Sequence, residues 1–181
     1  MKKILPGIIL LVLFLGCSGA GNNFPIHDNS HITDYGIEFF HNEFYTTDEL
    51  NEAAHTVDVY FEMAQECAKS IYPDMTDAIY SLPAEDMQIV VQFPDKYNPQ
   101  TGQEAFSCKF SKKGCAGIYY IGGTIDITPS LDALGHEMSH WINFMLFGET
   151  SDDNPSDLSQ VCKFSSICHL YSQNRNLIAC R

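Results

Sequence analysis

The chain has 181 residues, of which 45 % are apolar, and this composition suits one globular domain and excludes a disordered chain. Its formal net charge is −13. That acidity argues against nucleic acid as a partner and against an anionic membrane surface as the main one.

The first 16 residues have the pattern of an export signal. Lys2 and Lys3 precede an apolar stretch, residues 4–15, that is too short to span a bilayer. Without this segment the mature chain carries a charge of −15. The segment ends in Gly16-Cys17, which resembles the end of a bacterial lipoprotein signal. The resemblance implies that Cys17 carries a palmitate-containing lipid anchor and that Ser18 favours the outer membrane or cell surface. An ordinary secretory signal followed by a chance cysteine is the alternative.

Residues 17–35 are predicted to be a flexible tether, and residues 36–181 a folded domain. The first element of the domain is a strand or packed arm over residues 37–45. Thr46 and Glu49 then form a capping-box pattern, which predicts a long helix to about Ile71 with one buried stripe.

The middle of the chain is predicted to be a small sheet. Residues 88–93 are a β-branched run, and residues 117–121 and 124–128 are two strands around the turn Gly122-Gly123. After them, Ser130 is a suitable N-cap for a helix that ends at Gly148. Its apolar positions, which we expect to face the core, are Leu131, Leu134, Met138, Trp141 and Met145.

Six cysteines follow Cys17, and an even number in an exported protein predicts three disulfides: Cys67, Cys108, Cys115, Cys162, Cys168 and Cys180. Short loops favour the pairs Cys108–Cys115 and Cys162–Cys168, which leaves Cys67 with Cys180. A zinc-thiolate cluster is the competing interpretation, but no Cys-x-x-Cys spacing occurs.

The predicted helix carries the sequence His-Glu-x-x-His at residues 136–140. Residues four apart on a helix lie one turn above each other, so His136 and His140 can bind one metal ion, which we expect to be Zn²⁺. Glu137 lies beside them, where its carboxylate can take a proton from a metal-bound water. Two surface histidines on a core helix are the alternative.

The order of these elements, with the motif, resembles the N-terminal subdomain of the zincin metallopeptidases. The resemblance covers residues 46–157. It implies an α+β fold with a long backing helix, a small twisted and mostly antiparallel sheet, the active-site helix and a Cys-rich C-terminal segment. It also implies an edge strand that aligns an extended substrate, for which residues 124–128 are the candidate, and a Tyr or His that holds the oxyanion, for which Tyr171 and His169 are candidates.

The motif does not identify the third metal ligand. A His six residues after His140 is excluded because that position is Leu146, and a Glu from a later helix is excluded because no Glu follows Glu149. An Asp a dozen residues past the second His resembles the aspzincin arrangement. We favour Asp153, and the remaining candidates are Asp152, Asp157 and His169. A solvated acidic turn without a ligand is the alternative.

These observations predict a monomeric, lipid-anchored zinc metallopeptidase that hydrolyses peptide bonds in a peptide or protein substrate, with Glu137 as general base. A second hypothesis is a non-catalytic surface lipoprotein that uses the same scaffold to bind a protein partner or a metal.

Overall fold

The computed structural model describes residues 29–41, 44–97 and 103–164. The predicted signal segment, Cys17, Cys168, His169, Tyr171 and Cys180 lie outside the described residues. Within them the fold is α+β, as predicted. In chain order the elements are β1 (Asn29–Ile32), β2 (Glu38–His41), α1 (Thr47–Ile71), α2 (Thr76–Tyr80), β3 (Gln88–Val91), β4 (Lys96–Tyr97), β5 (Glu104–Ala105), β6 (Gly117–Tyr120), β7 (Thr124–Ile127), α3 (Leu134–Phe147) and α4 (Leu158–Val161). Strand β1 falls in the segment predicted to be a tether.

Helix α1 begins and ends where its sequence predicts. The Thr46 hydroxyl accepts a hydrogen bond from the backbone N–H of Glu49, and the Glu49 carboxylate accepts one from the backbone N–H of Thr46. This reciprocal pair satisfies two free N–H groups of the first turn. The apolar stripe of α1, from Ala53 to Ala68, is buried against the sheet and α3.

The main sheet has five strands in the order β1-β2-β3-β7-β6. β1 and β6 pair antiparallel with their neighbours, whereas β2–β3 and β3–β7 are parallel pairs. The prediction of a mostly antiparallel sheet is therefore wrong. For the β2–β3 pair the physical reason is that α1 lies between the two strands, and a helical crossover returns the chain in the same direction.

Strands β6 and β7 form the predicted hairpin, but their positions correct the predicted edge strand. β7, which lies in the segment 124–128, is an inner strand, and β6 forms the edge of the sheet. In the turn, Gly123 has φ +100° and its Cα lies against the backbone of Asp86, where an added Cβ would be 2.3 Å from the carbonyl oxygen. Only glycine fits this position.

Helix α3 starts at Leu134, four residues later than Ser130. Leu131 has φ +59° and interrupts the helical path, and the Ser130 hydroxyl hydrogen-bonds Thr128 instead of capping the helix. The predicted core face is confirmed except for Met145, which is exposed. Trp141 is buried and lies edge-on to Phe61 of α1, with ring centroids 6.0 Å apart. Each such buried side chain contributes about 1.5–3 kcal/mol to stability.

Two disulfides join described residues. Cys108–Cys115 closes a short loop, as predicted. Cys67 of α1 bonds Cys162, just after α4, so the predicted pairs Cys162–Cys168 and Cys67–Cys180 are wrong. The two cysteines are 95 residues apart in the sequence, so a preference for short loops could not predict this pair. Disulfides are typical of oxidising compartments outside the cytoplasm.

No helix in the described part of the chain is long and apolar enough to cross a membrane.

Candidate metal site and cleft

The two motif histidines meet one carboxylate oxygen. Nε2 of His136 lies 3.2 Å from Oδ1 of Asp152, and Nε2 of His140 lies 3.1 Å from the same atom. One ligand atom from each residue lies within 4.8 Å of the other two, so this group could hold a metal ion. The sequence favoured Asp153, whereas the carboxylate that lies beside both imidazoles in the structure is that of its neighbour Asp152, the second candidate.

The turn after α3 explains why Asp152 and not Asp153 faces the imidazoles. Gln160 of α4 donates a hydrogen bond from Nε2 to Oδ1 of Asp152 at 3.1 Å. The side chain of Asp153 is exposed, and its backbone N–H donates a hydrogen bond to the Ser151 hydroxyl. Adjacent residues in a turn point in different directions, and only the folded turn decides which one reaches the site.

The tautomer of His136 is set by α4. Its Nδ1 atom lies 3.2 Å from the backbone carbonyl oxygen of Ser159. A carbonyl oxygen can only accept a hydrogen bond, so Nδ1 carries the proton. Nε2 of the neutral ring then has a free lone pair, and it is the atom that faces Asp152.

The tautomer of His140 is fixed in the same way, through a hydroxyl group. Its Nδ1 lies 2.7 Å from the Thr150 hydroxyl, and that hydroxyl donates its own proton to Oδ2 of Asp157 at 2.8 Å. The hydroxyl must therefore accept from Nδ1–H, which leaves a lone pair on Nε2 of His140. Asp157, a candidate ligand from the sequence, instead fixes this tautomer from a fully buried position.

When both rings are neutral, Nε2 of His136, Nε2 of His140 and Oδ1 of Asp152 converge with no proton among them. Atoms with lone pairs in this arrangement repel one another unless a metal ion or a proton lies between them. Burial lowers the pKa of His140, with a further decrease from His136, although Asp152 and Asp157 act in the opposite direction. A neutral imidazole binds metal ions, so the donor set fits a metal ion better than a shared proton.

Glu137 lies in the cleft beside these residues and is only 6 % exposed. Gly117 of β6 makes room for it, because an added Cβ at Gly117 would lie 2.7 Å from Cγ of Glu137. The backbone N–H of Tyr119 donates a hydrogen bond to the Glu137 carboxylate. Burial raises the pKa of Glu137 to about 8, and the charge of Asp152 adds to the increase.

The cleft has a volume of about 320 Å³ and runs between β6 and α3. Its walls come from the loop 108–115, from β6 and its turn, from α3 and from the acidic turn: Phe110, Cys115, Gly117, Ile118, Tyr119, Ile121, Glu137, His140, Thr150, Ser151 and Asp152. The group of His136, His140 and Asp152, called the metal-ligand group below, therefore borders an open cleft on the side where Glu137 projects.

Sequence reasoning missed the groups that orient the ligands. Thr150, Ser159 and Gln160 had no distinguishing pattern, because each acts through a contact formed only in the folded turn. Asn143 did carry a signal, an amide in an otherwise apolar stretch of α3. Its Nδ2 donates to the carbonyl of Glu149 at 2.8 Å, and its Oδ1 accepts from the backbone N–H of Leu158, so it ties the acidic turn to the helix.

Comparisons of the chain with protein-family models, with curated proteins and with solved structures gave no match. What the site can do follows from its own residues. Two imidazoles and one carboxylate can hold a metal ion, and a second, buried carboxylate lies beside them at the wall of an open cleft.

Proposed function

We propose that the protein is a zinc-dependent peptidase of zincin type that hydrolyses peptide bonds, with Glu137 as general base. One observation carries this proposal: Nε2 of His136 and Nε2 of His140 both lie beside Oδ1 of Asp152, and His140 and Asp152 line a cleft together with Glu137. Two imidazoles, one carboxylate and an open position are the donor set of catalytic zinc sites.

A zinc ion held by these three residues would polarise a water molecule and lower its pKa. The remaining chemistry belongs to Glu137, which takes a proton from the water and returns it to the leaving amine. The N–H of Tyr119 and the gap above Gly117 hold the carboxylate at the cleft wall. A cation nearby also lowers the pKa of Glu137 and favours the ionised form that a base requires.

Strand β6 supports a peptide as the substrate. It is the edge of the sheet, with β7 on one side and no further strand on the other among the described residues. An extended peptide can add to such an edge through backbone hydrogen bonds. The substrate would then lie along the cleft next to Glu137 and His140.

We also propose that the protein acts at the cell envelope through a lipid on Cys17. The support is the sequence around Gly16-Cys17, together with two disulfides of the kind formed outside the cytoplasm. Labelling of bacteria with radioactive palmitate is expected to mark the wild-type protein and not the Cys17→Ser variant. Equal labelling of both would contradict the anchor.

The metal content of the purified protein tests the site. We expect about one zinc per chain in the wild type, and a loss of most of it in His136→Ala and in Asp152→Asn. Asp153→Asn is the matched control, because it removes the same charge from the adjacent residue and is expected to keep its zinc. Less than half an equivalent in the wild type, unaffected by His136→Ala, would refute the site.

Cleavage of an unstructured protein tests the reaction. The wild type is expected to cleave it, and Glu137→Gln is expected to retain zinc and lose at least about a hundredfold in rate. Full zinc occupancy without cleavage by the wild type would favour the non-catalytic, metal-holding alternative. Equal cleavage by the two proteins would remove Glu137 from the mechanism.

A further inference from the structure

The loop that borders the cleft is basic and carries one exposed apolar side chain, whereas the protein as a whole is acidic. The disulfide-closed loop 108–115 contains Lys109, Lys112 and Lys113 and no acidic residue. The whole chain carries −13, and all residues outside this loop together carry −16. Lys96 adds a fourth positive charge, because its ammonium donates a hydrogen bond to the backbone carbonyl of Lys112.

The charges of these four lysines are not neutralised by acidic side chains of the described residues. No ion pair joins any of the four to an acidic side chain within the ranges that the structure describes. By contrast, Lys69 of α1 is paired with Glu66. The charge of the loop is therefore available to a bound molecule, and complementary charge is what it attracts.

The same loop presents an apolar surface to the cleft. Phe110 is 78 % exposed and Ile121, after β6, is 75 % exposed, and these are the two most exposed large apolar side chains of the described residues. Both line the cleft that holds Glu137 and His140. Exposed apolar side chains next to a polar site mark a binding surface.

The surface continues past the cleft. A second cavity, of about 370 Å³, shares Phe110 and Ile118 with the first and extends to Lys109. The two cavities thus form a path from His140 and Asp152, past Phe110, to Lys109 of the loop. The loop is held in shape by the disulfide and by paired backbone hydrogen bonds between Phe106 and Cys115, so little ordering is needed on binding.

We propose that the loop 108–115 selects the substrate: a peptide with a large apolar side chain beside the cleaved bond and acidic residues beyond it. The apolar side chain lies against Phe110 and Ile121, and the acidic residues lie near the loop lysines. This assignment rests on the proposed peptidase function, and it concerns binding rather than bond cleavage.

Binding to the zinc-loaded Glu137→Gln protein tests the selection without turnover. The probe is a fluorescein-labelled peptide with a Phe-Leu pair followed by four Glu residues, measured by fluorescence anisotropy at low salt. One matched peptide replaces the Glu residues by Lys, and another replaces Phe-Leu by Ser-Ser. We expect each replacement to weaken binding by about tenfold.

Variants of the loop assign these preferences to residues. Combined replacement of Lys109, Lys112 and Lys113 by Gln is expected to abolish the preference for Glu over Lys peptides. Phe110→Ala is expected to abolish the preference for Phe-Leu over Ser-Ser. The matched control is Lys163→Gln, which removes one charge beside Cys162 on the α1–α4 side and is expected to change neither preference.

The outcomes separate this inference from the proposed function. Unchanged preferences in the loop variants would overturn the inference, even if the wild type cleaves peptides. Loss of the preferences in those variants would support it, even if the wild type cleaves nothing. A triple lysine variant that loses binding to phosphatidylglycerol vesicles, with peptide binding intact, would also overturn it, because the loop would then contact a membrane.

Discussion

Nδ1 of His140 lies 2.7 Å from the hydroxyl oxygen of Thr150, a residue with no chemical role apparent from the sequence. That hydroxyl donates its proton to the buried carboxylate of Asp157. It can therefore only accept a hydrogen bond from the imidazole. Thr150 therefore decides which nitrogen of His140 is free to bind a metal ion. Contacts of this kind, one step removed from the ligands, set the orientation and basicity of metal-bound imidazoles.

Replacement of Thr150 by Val removes the hydroxyl and keeps the shape of the side chain. We expect the affinity for zinc to fall by about 10–100-fold, because the Nδ1 proton of His140 loses its acceptor. Competition with a fluorescent chelator measures this affinity. Thr150→Ser keeps the hydroxyl and serves as the control. An unchanged affinity in Thr150→Val would show that the ring is oriented by other contacts.

The pKa of Glu137 predicts how the stability of the metal-free protein depends on pH. Its value in the folded protein is about 8, against an ordinary value of 4.5, so the folded state favours the protonated form. The stabilising effect is therefore complete below about pH 4.5 and is lost as the pH rises through 8. The Glu137→Gln variant, which stays neutral, is expected to be more stable than the wild type at pH 9 by about 2–4 kcal/mol.

Urea unfolding of both metal-free proteins at pH 5 and pH 9 measures this difference. At pH 5 the two free energies of unfolding are expected to differ by less than about 1 kcal/mol, because the carboxyl of the folded protein is still protonated and only that of the unfolded chain ionises there. A difference of the same size at both pH values would show that ionisation of Glu137 is not its cause.

The disulfide between Cys67 and Cys162 is expected to support the metal site as well as the fold. Because it closes a loop of 95 residues, replacement of both cysteines by Ala is expected to cost about 4–5 kcal/mol of stability. Since α4 ends at this bond and carries Ser159 and Gln160, zinc affinity is also expected to fall.

The Cys108–Cys115 disulfide provides the matched control. Its shorter loop predicts a loss of about 2–3 kcal/mol when both cysteines are replaced by Ala. No contact of this loop with His136, His140 or Asp152 orients those ligands, so zinc affinity is expected to stay unchanged. Calorimetric titration of both variants with zinc makes the comparison, and equal losses of affinity would contradict the role given to α4.

Replacement of Gly117 by Ala is expected to impair catalysis while the metal stays bound. The new methyl group would lie 2.7 Å from Cγ and 2.9 Å from Oε1 of Glu137, so the carboxylate must move. We expect kcat/KM for a peptide to fall by at least about tenfold, with full zinc content, because a displaced base transfers protons less efficiently. The double variant Gly117→Ala/Glu137→Gln is expected to have the same kcat/KM as Glu137→Gln alone, because both changes act through the Glu137 carboxylate. Wild-type activity in Gly117→Ala would contradict the expectation.

The elements that the sequence predicts correctly are those that local patterns encode. The Thr46–Glu49 capping box, the Gly122-Gly123 turn and the motif helix depend on residues close together in the chain. The sheet order and the Cys67–Cys162 bond depend on contacts between distant segments, which no local pattern reveals.

The same division applies to the metal-ligand group. His136 and His140 follow from helical spacing, whereas the choice between Asp152 and Asp153 depends on a turn. That turn is held by Asp157, which accepts hydrogen bonds from Thr150 and from the backbone of Ser151. An acidic cluster in the sequence therefore indicates candidate ligands in the turn, but only the folded turn shows which carboxylate lies beside the imidazoles.

The candidate ligands and the groups that orient them all lie in one continuous stretch, residues 136–160. The residues that hold Glu137, by contrast, belong to β6. In the proposed function, metal capture would therefore depend on residues 136–160 and on the Cys67–Cys162 bond that anchors α4, whereas proton transfer would also need the assembled sheet. On this basis we expect a refolding chain to take up metal before it regains activity.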